Sequence, residues 1–146
     1  YEDESIFDMF GGRDEMTDQT AQQCYPKNLT DVVFNTGSPG DYCFYNASNI
    51  KNISLLDPYF YHIGLKAFYN CGVENLIIPR LSELYWIEQY AFYNCSVKQL
   101  DLSKSVNLQS IGEYAFAGCA LNEIDLYNST LINKIPRWIY FFFIVS

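Results

Sequence analysis

Residues 111–127 of this chain read IGEYAFAGCALNEIDLY, and the same pattern occurs at 87–103 and at 63–79, always at an offset of 24 residues. Each copy contains an Ala-Phe pair and a cysteine four residues after the alanine. A repeat of this length is the size of one coil of a solenoid, and one coil cannot bury its apolar side alone. The sequence therefore predicts a stack of coils in which each coil contacts its neighbours.

Each copy ends in a triplet of apolar residues whose last two members alternate with polar residues, as the buried side of a β-strand requires. Two degenerate copies extend the pattern towards the N-terminus, where Cys43 and Ala47 exchange the two small residues. Five strands are thus predicted, which exceeds the minimum of about three repeats for a stable stack. Their triplets are Leu29, Val32 and Phe34; Ile50, Ile53 and Leu55; Val73, Leu76 and Ile78; Val97, Leu100 and Leu102; and Leu121, Ile124 and Leu126.

The other repeated positions predict the core. Equivalent side chains of successive coils lie at one level, so the repeated phenylalanines are expected to form an aromatic spine beside a row of isoleucines. A short helical turn is expected over 113–116, with Gly64 and Gly112 easing the backbone into it. The spine would consist of Phe44, Phe68, Phe92 and Phe116, and the row of Ile63, Ile87 and Ile111.

The pattern Leu-x-x-Ile-Gly-x-x-Ala-Phe-x-x-Cys-x-Leu-x-x-Ile-x-Leu, read from Leu108 to Leu126, resembles the BspA-like leucine-rich repeats, also called the Treponema-type or LRR_5 class. The resemblance covers the chain from about Leu29 to Pro136, and only Ile78-Pro79 keeps the proline that often ends the strand in this class. It implies an α/β solenoid: a short right-handed superhelix with one parallel β-sheet and a short helical or irregular opposite side. It also implies a surface or secreted protein that takes part in adhesion.

Charge and hydropathy divide the chain into three segments. Residues 1–18 hold seven acidic side chains against one arginine and so contribute −6 to the net charge of −8. We therefore expect 1–27 to be an acidic tail or cap, and 28–136 to be the solenoid of about five coils. Residues 137–146 are apolar but too few for a membrane-spanning helix, which needs about twenty. They are either a hydrophobic cap on the last coil or the start of a truncated membrane segment.

The cysteines are expected to be structural. Cys71, Cys95 and Cys119 recur at one level of the stack, where a small buried residue with a weak S–H donor fits. Their parallel side chains do not suit tetrahedral metal ligation, although the spacing of adjacent coils is within the range that a disulfide tolerates. Cys24 and Cys43 flank the first coil and would form a disulfide only in an oxidising compartment.

The evidence on compartment is indirect. The sequence starts at Tyr1 and has no hydrophobic signal-peptide region in its first thirty residues, which is read as a fragment or a processed form. Asn-x-Ser/Thr motifs favour a cell-surface or secreted location over a cytoplasmic one, and a further motif at Asn94 adjoins a cysteine of the core. The candidate glycosylation sites are Asn28, Asn46, Asn52 and Asn128.

No catalytic, cofactor or metal site is predicted. His62 is the only histidine, and it lies in an aromatic run without a nucleophile motif beside it. No phosphate-binding glycine loop, His-x-x-x-His pair or Cys-x-x-Cys motif occurs. Asp101, Glu123 and Asp125 should share one face of adjacent strands and could hold a divalent cation weakly, but solvated carboxylates are the favoured interpretation. Enzymatic activity is therefore not expected.

The outward positions of the strands remain as the candidate partner-binding surface. A rigid, polar and mildly acidic platform suits a protein or glycan partner, possessed by a host or matrix, with Leu56, Ile77 and Tyr127 as anchors. It does not suit nucleic acid, because clusters of Lys and Arg are missing. The alternative is a spacer or stalk that binds nothing, and membrane association is expected only if the chain stops short of a membrane helix. The candidate residues are Asn52, Ser54, Leu56, Asn75, Ile77, Gln99, Asp101, Glu123, Asp125 and Tyr127.

Overall fold

The computed structural model of the chain describes residues 27–35, 37–57, 59–78, 83–127, 129 and 131–133. These residues form a solenoid of about four turns. All pairings between its strands are parallel. Parallel pairing follows from the repeat, because each coil brings the chain back to the same side in the same direction.

The strands of the described residues are short and recur once or twice in each coil. The longer ones coincide with the predicted apolar triplets, and the two-residue ones coincide with the isoleucine row. In chain order they are β1 (Asp31–Phe34), β2 (Asn52–Leu55), β3 (His62–Ile63), β4 (Asn75–Ile77), β5 (Trp86–Ile87), β6 (Gln99–Asp101), β7 (Ser110–Ile111) and β8 (Glu123–Asp125).

The prediction of one parallel sheet is corrected by the structure, in which the described strands form three sheets. β1, β2 and β4 form one sheet and β6 and β8 form another on the same side of the coils, since no ladder joins β4 to β6. The third sheet contains β3, β5 and β7. It arises because the backbone beside the isoleucine row is also extended, so that Glu88 N donates to Ile63 O over 2.9 Å and Gly112 N donates to Ile87 O over 2.7 Å.

The Ala-Phe-x-x-Cys segments form tight turns, and the described residues contain no helix, so the helical turn expected over 113–116 is not confirmed. The turn bonds connect residues three apart, as from Ala115 N to Gly112 O at 3.2 Å. Tyr114 between them has a left-handed φ of 57°, which interrupts right-handed helical geometry. The α/β class and the right-handed superhelical sense stay predictions.

The predicted core is confirmed. The rings of Phe44, Phe68, Phe92 and Phe116 are at most 1% exposed. They stack with centroid distances of 5.4, 4.9 and 5.2 Å and interplanar angles of 17°, 6° and 9°. Such pairs contribute about 0.5–1.5 kcal/mol each beyond the area that they bury. The small and aliphatic rows beside them are also buried: Ala67, Ala91, Ala115, Ile63, Ile87 and Ile111.

Glycine is needed before the turns for a reason that the sequence did not show. A Cβ atom on Gly112 would lie 2.4 Å from Gln89 N, and one on Gly64 would lie 2.5 Å from Asp41 N. Neither glycine has a positive φ. Close approach of the preceding coil therefore excludes a side chain here, rather than backbone conformation.

The buried thiols behave as predicted. Cys71 Sγ donates to Ala47 O over 3.7 Å, which is a weak bond within the core. Burial raises the pKa of Cys71 and of Cys119 to about 12 and the pKa of Cys95 to about 11. Burial also raises the pKa of Cys43, which is a free thiol in this structure. The pairing of Cys43 with Cys24 remains untested, because Cys24 lies outside the described residues.

Both predicted end segments lie outside the described residues, so the acidic cap over 1–27 and the hydrophobic cap over 137–146 remain predictions. The solenoid boundaries at 28 and 136 remain predictions as well. Within the part of the chain that the structure describes, no helix is long and apolar enough to cross a membrane.

Candidate partner-binding face

The outward residues of β1, β2, β4, β6 and β8, with the residues that follow each strand, form the surface that we call the strand face. Register brings them into columns, so that Asp31, Asn52 and Asn75 lie side by side, as do Gln99 and Glu123. Of the ten candidate residues, all but the half-buried Asn52 and Ser54 are exposed. The structure thus places all ten at the surface, although the break between β4 and β6 divides them into two groups.

A hydrogen-bonded ladder holds the first group. Asn75 Nδ2 donates to Asn52 Oδ1 over 2.8 Å, and Asn52 Nδ2 donates to Asp31 Oδ1. The hydroxyl of Thr30 and then the amide of Asn52 keep the pKa of the Asp31 carboxyl below its ordinary value. These side chains are therefore held in fixed positions across three coils.

Two aspartates organise the second group. Asp101 and Asp125 are partners in the parallel register, and each carboxylate accepts a bond from the backbone N–H two residues later. The acceptors hold Ser103 N at 2.9 Å and Tyr127 N at 2.9 Å, which fixes the chain where each strand ends. No group of three or more His, Cys, Asp or Glu side chains in the described ranges could hold a metal ion.

Large apolar side chains project from this otherwise polar face. Val33 and Ile77 are each 57% exposed, Leu56 is 51% exposed and Tyr127 is 86% exposed. Exposed apolar residues on a rigid surface are the usual anchors of protein interfaces. The three anchors predicted from the sequence are thus accessible, and Val33 joins them.

A cleft opens where the ladder is interrupted. It lies between β4 and β6 and has a volume of about 240 Å³. Outward residues Ile77 and Asp101 stand on its two sides, and Lys104 and Ser105 from the turn after β6 complete it. The remaining lining residues are Leu76, Ile78 and Leu100.

The cleft exposes residues at core positions in the middle of the stack. Leu76 and Ile78 are half-buried, whereas Ile53 and Leu55 at the same positions of the preceding coil are at most 1% exposed. Half-buried core positions are expected at the ends of a stack, where a neighbouring coil is missing, as for Ile124. Coil three has described neighbours on both sides, so its exposure is a local departure from the repeat.

The sequence did not predict the cleft. Lys104 and Ser105 lie in a turn where the repeat pattern has no apolar signal. The nearest signal is Pro79, which follows Ile78 directly, lacks a backbone N–H and lies outside the described residues. A break in a ladder depends on how two coils sit on each other, and no residue type encodes that directly.

The opposite side of the coils carries a second ordered surface, the turn face, which the sequence also did not predict. Tyr69 stacks on Tyr45 at 5.0 Å and on Tyr93 at 4.8 Å. Tyr114 stacks on Tyr90 at 5.2 Å. The Lys66 ammonium lies 5.5–5.7 Å from three ring centroids, those of Tyr42, Tyr69 and Tyr90. The repeated Tyr at these positions was the available signal.

The candidate glycosylation sites are scattered. Asn28 and Asn46 are exposed, while Asn52 belongs to the strand-face ladder. Asn128 lies outside the described residues. His62 is half-buried in β3, with its ring 4.5 Å from that of Tyr61. This histidine thus packs against a neighbour, in line with the prediction of a packing role.

Comparison with known proteins agrees with the geometry. The family model of the BspA type leucine rich repeat region matches residues 61–142 in six copies. No curated protein and no solved structure was found to match the chain. The family match covers more than half of the chain, and the first coils, which precede residue 61, repeat the same stacking. The chain therefore belongs to the BspA-type leucine-rich repeat family.

Proposed function

We propose that this chain is a protein-binding module of a cell-surface or secreted protein and that it takes part in adhesion through its strand face. Leucine-rich repeats generally act as interaction scaffolds, and BspA-type domains are common on surface and secreted proteins. The family supports the general role. The surface location, the adhesive role and a host or matrix partner are the finer parts of the proposal.

The observation that carries the proposal is the exposure of large apolar residues on ordered strands. Leu56, Ile77 and Tyr127 are all more than half exposed, while the side chains around them are polar and held by hydrogen bonds. A preorganised surface loses little conformational entropy when a partner binds. An isolated exposed leucine would mean little, but several on one rigid face favour a binding site.

The test measures how beads coated with the protein bind to cultured cells and to a panel of purified matrix proteins. The strand-face variant Leu56→Glu/Tyr127→Glu should lose at least tenfold in binding, because it places charges at two anchors. The control Val106→Glu/Leu131→Glu makes the same chemical change at residues that are each 50% exposed outside the strand face. The control should bind as the unmodified protein does, and both should keep its thermal unfolding midpoint.

Equal binding by both variants would overturn the proposed strand-face site. Binding by neither the unmodified protein nor the variants would favour the alternative of a spacer or stalk. Intact-mass analysis of protein from its native source tests the compartment, because glycans are added in the secretory pathway. A glycan on Asn52 would also cover part of the strand face, and its presence would count against this surface.

A further inference from the structure

The cleft between β4 and β6 gives the proposed strand face a specific anchor site. We infer that it receives one large aliphatic or aromatic side chain of a protein partner, on a segment that carries lysine or arginine beside that side chain. This inference rests on the proposed function, because it names the partner chemistry of the same face.

The cleft has apolar walls at positions that are core elsewhere in the stack. Leu76 and Ile78 reach it from one coil and Leu100 from the next. A side chain that enters would complete the packing that Ile53 and Leu55 already have. Burial of a large apolar side chain stabilises a complex by about 1.5–3 kcal/mol. Departures from a repeat in the middle of a regular stack are where a binding role is expected.

Backbone groups add polarity to the walls. Asn75 N donates to Lys51 O on the β2 side, so alternation along a parallel strand directs the backbone of Leu76 and Ile78 towards β6. Leu102 N donates to Asp125 O on the β8 side, which directs the backbone of Asp101 towards β4. An entering segment therefore meets hydrogen-bonding groups as well as apolar surface.

The charge around the cleft selects the flanking residues. Asp101 lines it, Asp125 is the register partner of Asp101, and Glu123 lies on the same strand as Asp125. Lys104 is the one cation among the lining residues. Three exposed carboxylates against one ammonium attract a basic segment and disfavour an acidic one. The apolar side chain thus supplies most of the binding energy and the basic residues supply orientation and association rate.

The structure offers a matched pair of variants. Ile77 and Val33 are outward residues of the same column of one sheet, connected through Ser54, and are equally exposed at 57%. Ile77 lines the cleft and Val33 does not. Ile77→Glu and Val33→Glu therefore make the same change to the strand face, but only the first places a carboxylate at the cleft.

The probe is a random library of 12-residue peptides displayed on phage, selected on the immobilised full chain. Selected peptides should share a large apolar residue with lysine or arginine within two positions of it. Their affinity should fall at least tenfold for Ile77→Glu and less than twofold for Val33→Glu. A second variant tests the charge: Glu123→Gln/Asp125→Asn should weaken binding at least threefold at low salt, while Glu88→Gln/Glu113→Gln, with the same change of net charge, should not.

Selection of no peptide, selection of peptides without this pattern, or equal loss for Ile77→Glu and Val33→Glu would overturn the inference. The proposed function fails separately, because its test uses Leu56 and Tyr127, which do not line the cleft. If Leu56→Glu/Tyr127→Glu abolishes binding to cells or matrix and Ile77→Glu does not, the strand face is the binding site and the cleft is not its anchor.

Discussion

The side-chain amide of Asn94 donates a 2.9 Å hydrogen bond to Oδ1 of Asn70, its equivalent one coil earlier. Asn70 in turn donates to Asn46 over 3.0 Å, and the three residues have left-handed φ values of 51–57°. Asparagine tolerates this conformation better than other residues with a side chain, apart from glycine's freedom. One residue type thus satisfies the backbone of the turn and the bonds between coils.

This dual role predicts different costs for two substitutions. Asn70→Ala loses the side-chain bonds and strains the backbone, so we expect it to lower the free energy of unfolding by about 2 kcal/mol. Asn70→Gly loses only the side-chain bonds and should cost about 1 kcal/mol. Urea unfolding measures both, with the exposed Asn122→Ala as a control that should change little. Equal costs for alanine and glycine would show that backbone strain is unimportant at this turn.

Lys66 occupies a position where the other coils have tyrosine. Its ammonium lies within 6 Å of three ring centroids, and cation–π contacts at partly exposed sites contribute about 0.5–1 kcal/mol each. Lys66→Met keeps the length of the side chain and removes the charge, so we expect a loss of about 1–2 kcal/mol. Thermal unfolding of this variant is compared with Lys98→Met, at an exposed lysine. An unchanged midpoint for Lys66→Met would contradict a stabilising role for the charge.

Gly112 and Gly37 separate two reasons for glycine. Gly112→Ala places a Cβ atom 2.4 Å from Gln89 N, so adjacent coils must move apart at a cost of about 1–3 kcal/mol or more. Gly37→Ala meets nothing within 4 Å but has a φ of +80°, and its cost should be about 1–2 kcal/mol. Denaturant unfolding gives the two free energies. A larger loss for Gly37→Ala than for Gly112→Ala would contradict the close approach of the coils.

The buried thiols predict a loss of stability at alkaline pH. Burial raises the pKa of Cys95 to about 11 in the folded chain, compared with a model-compound value of 9.0. Folded protein therefore holds this proton more tightly, and its contribution is fully present below pH 9. It is lost as the pH rises from about 9 to 11, with a slope of about 1.4 kcal/mol per pH unit for each thiol.

Cys95→Ala isolates this contribution from other groups that titrate at high pH. Alanine already occupies the equivalent position at Ala47, so the substitution is compatible with the coil. Free energies of unfolding measured from pH 7 to 11 should fall less steeply for Cys95→Ala than for the unmodified chain. Parallel curves for the two proteins would mean that the thiol ionises equally well in the folded and unfolded states.

Much of the core was predictable because a repeat determines which residues share a level. Phe68 and Phe92 are 24 residues apart, and any stack of one coil per repeat must bring their rings together. The five longer strands coincide with the apolar triplets for the same reason. The ten candidate residues of the strand face were identified as the complement of these buried positions.

The rest depends on contacts that periodicity does not contain. The three sheets and the cleft result from the hydrogen bonds that two particular coils form or do not form, as between β4 and β6. The left-handed turns at Asn70 and Lys66 replace the expected helical turn because the backbone must bond to the next coil, as Asn70 N does to Tyr93 O.

The sequence by itself determined the period, the buried rows and the side of the coil that faces solvent, because side-chain polarity repeats every 24 residues. Only the tertiary structure decided where the parallel ladder is interrupted and which apolar residues become accessible there. The physical reason is that stacking energy depends on the summed hydrophobic pattern, whereas each ladder bond requires the positions of two backbones to match within about half an ångström.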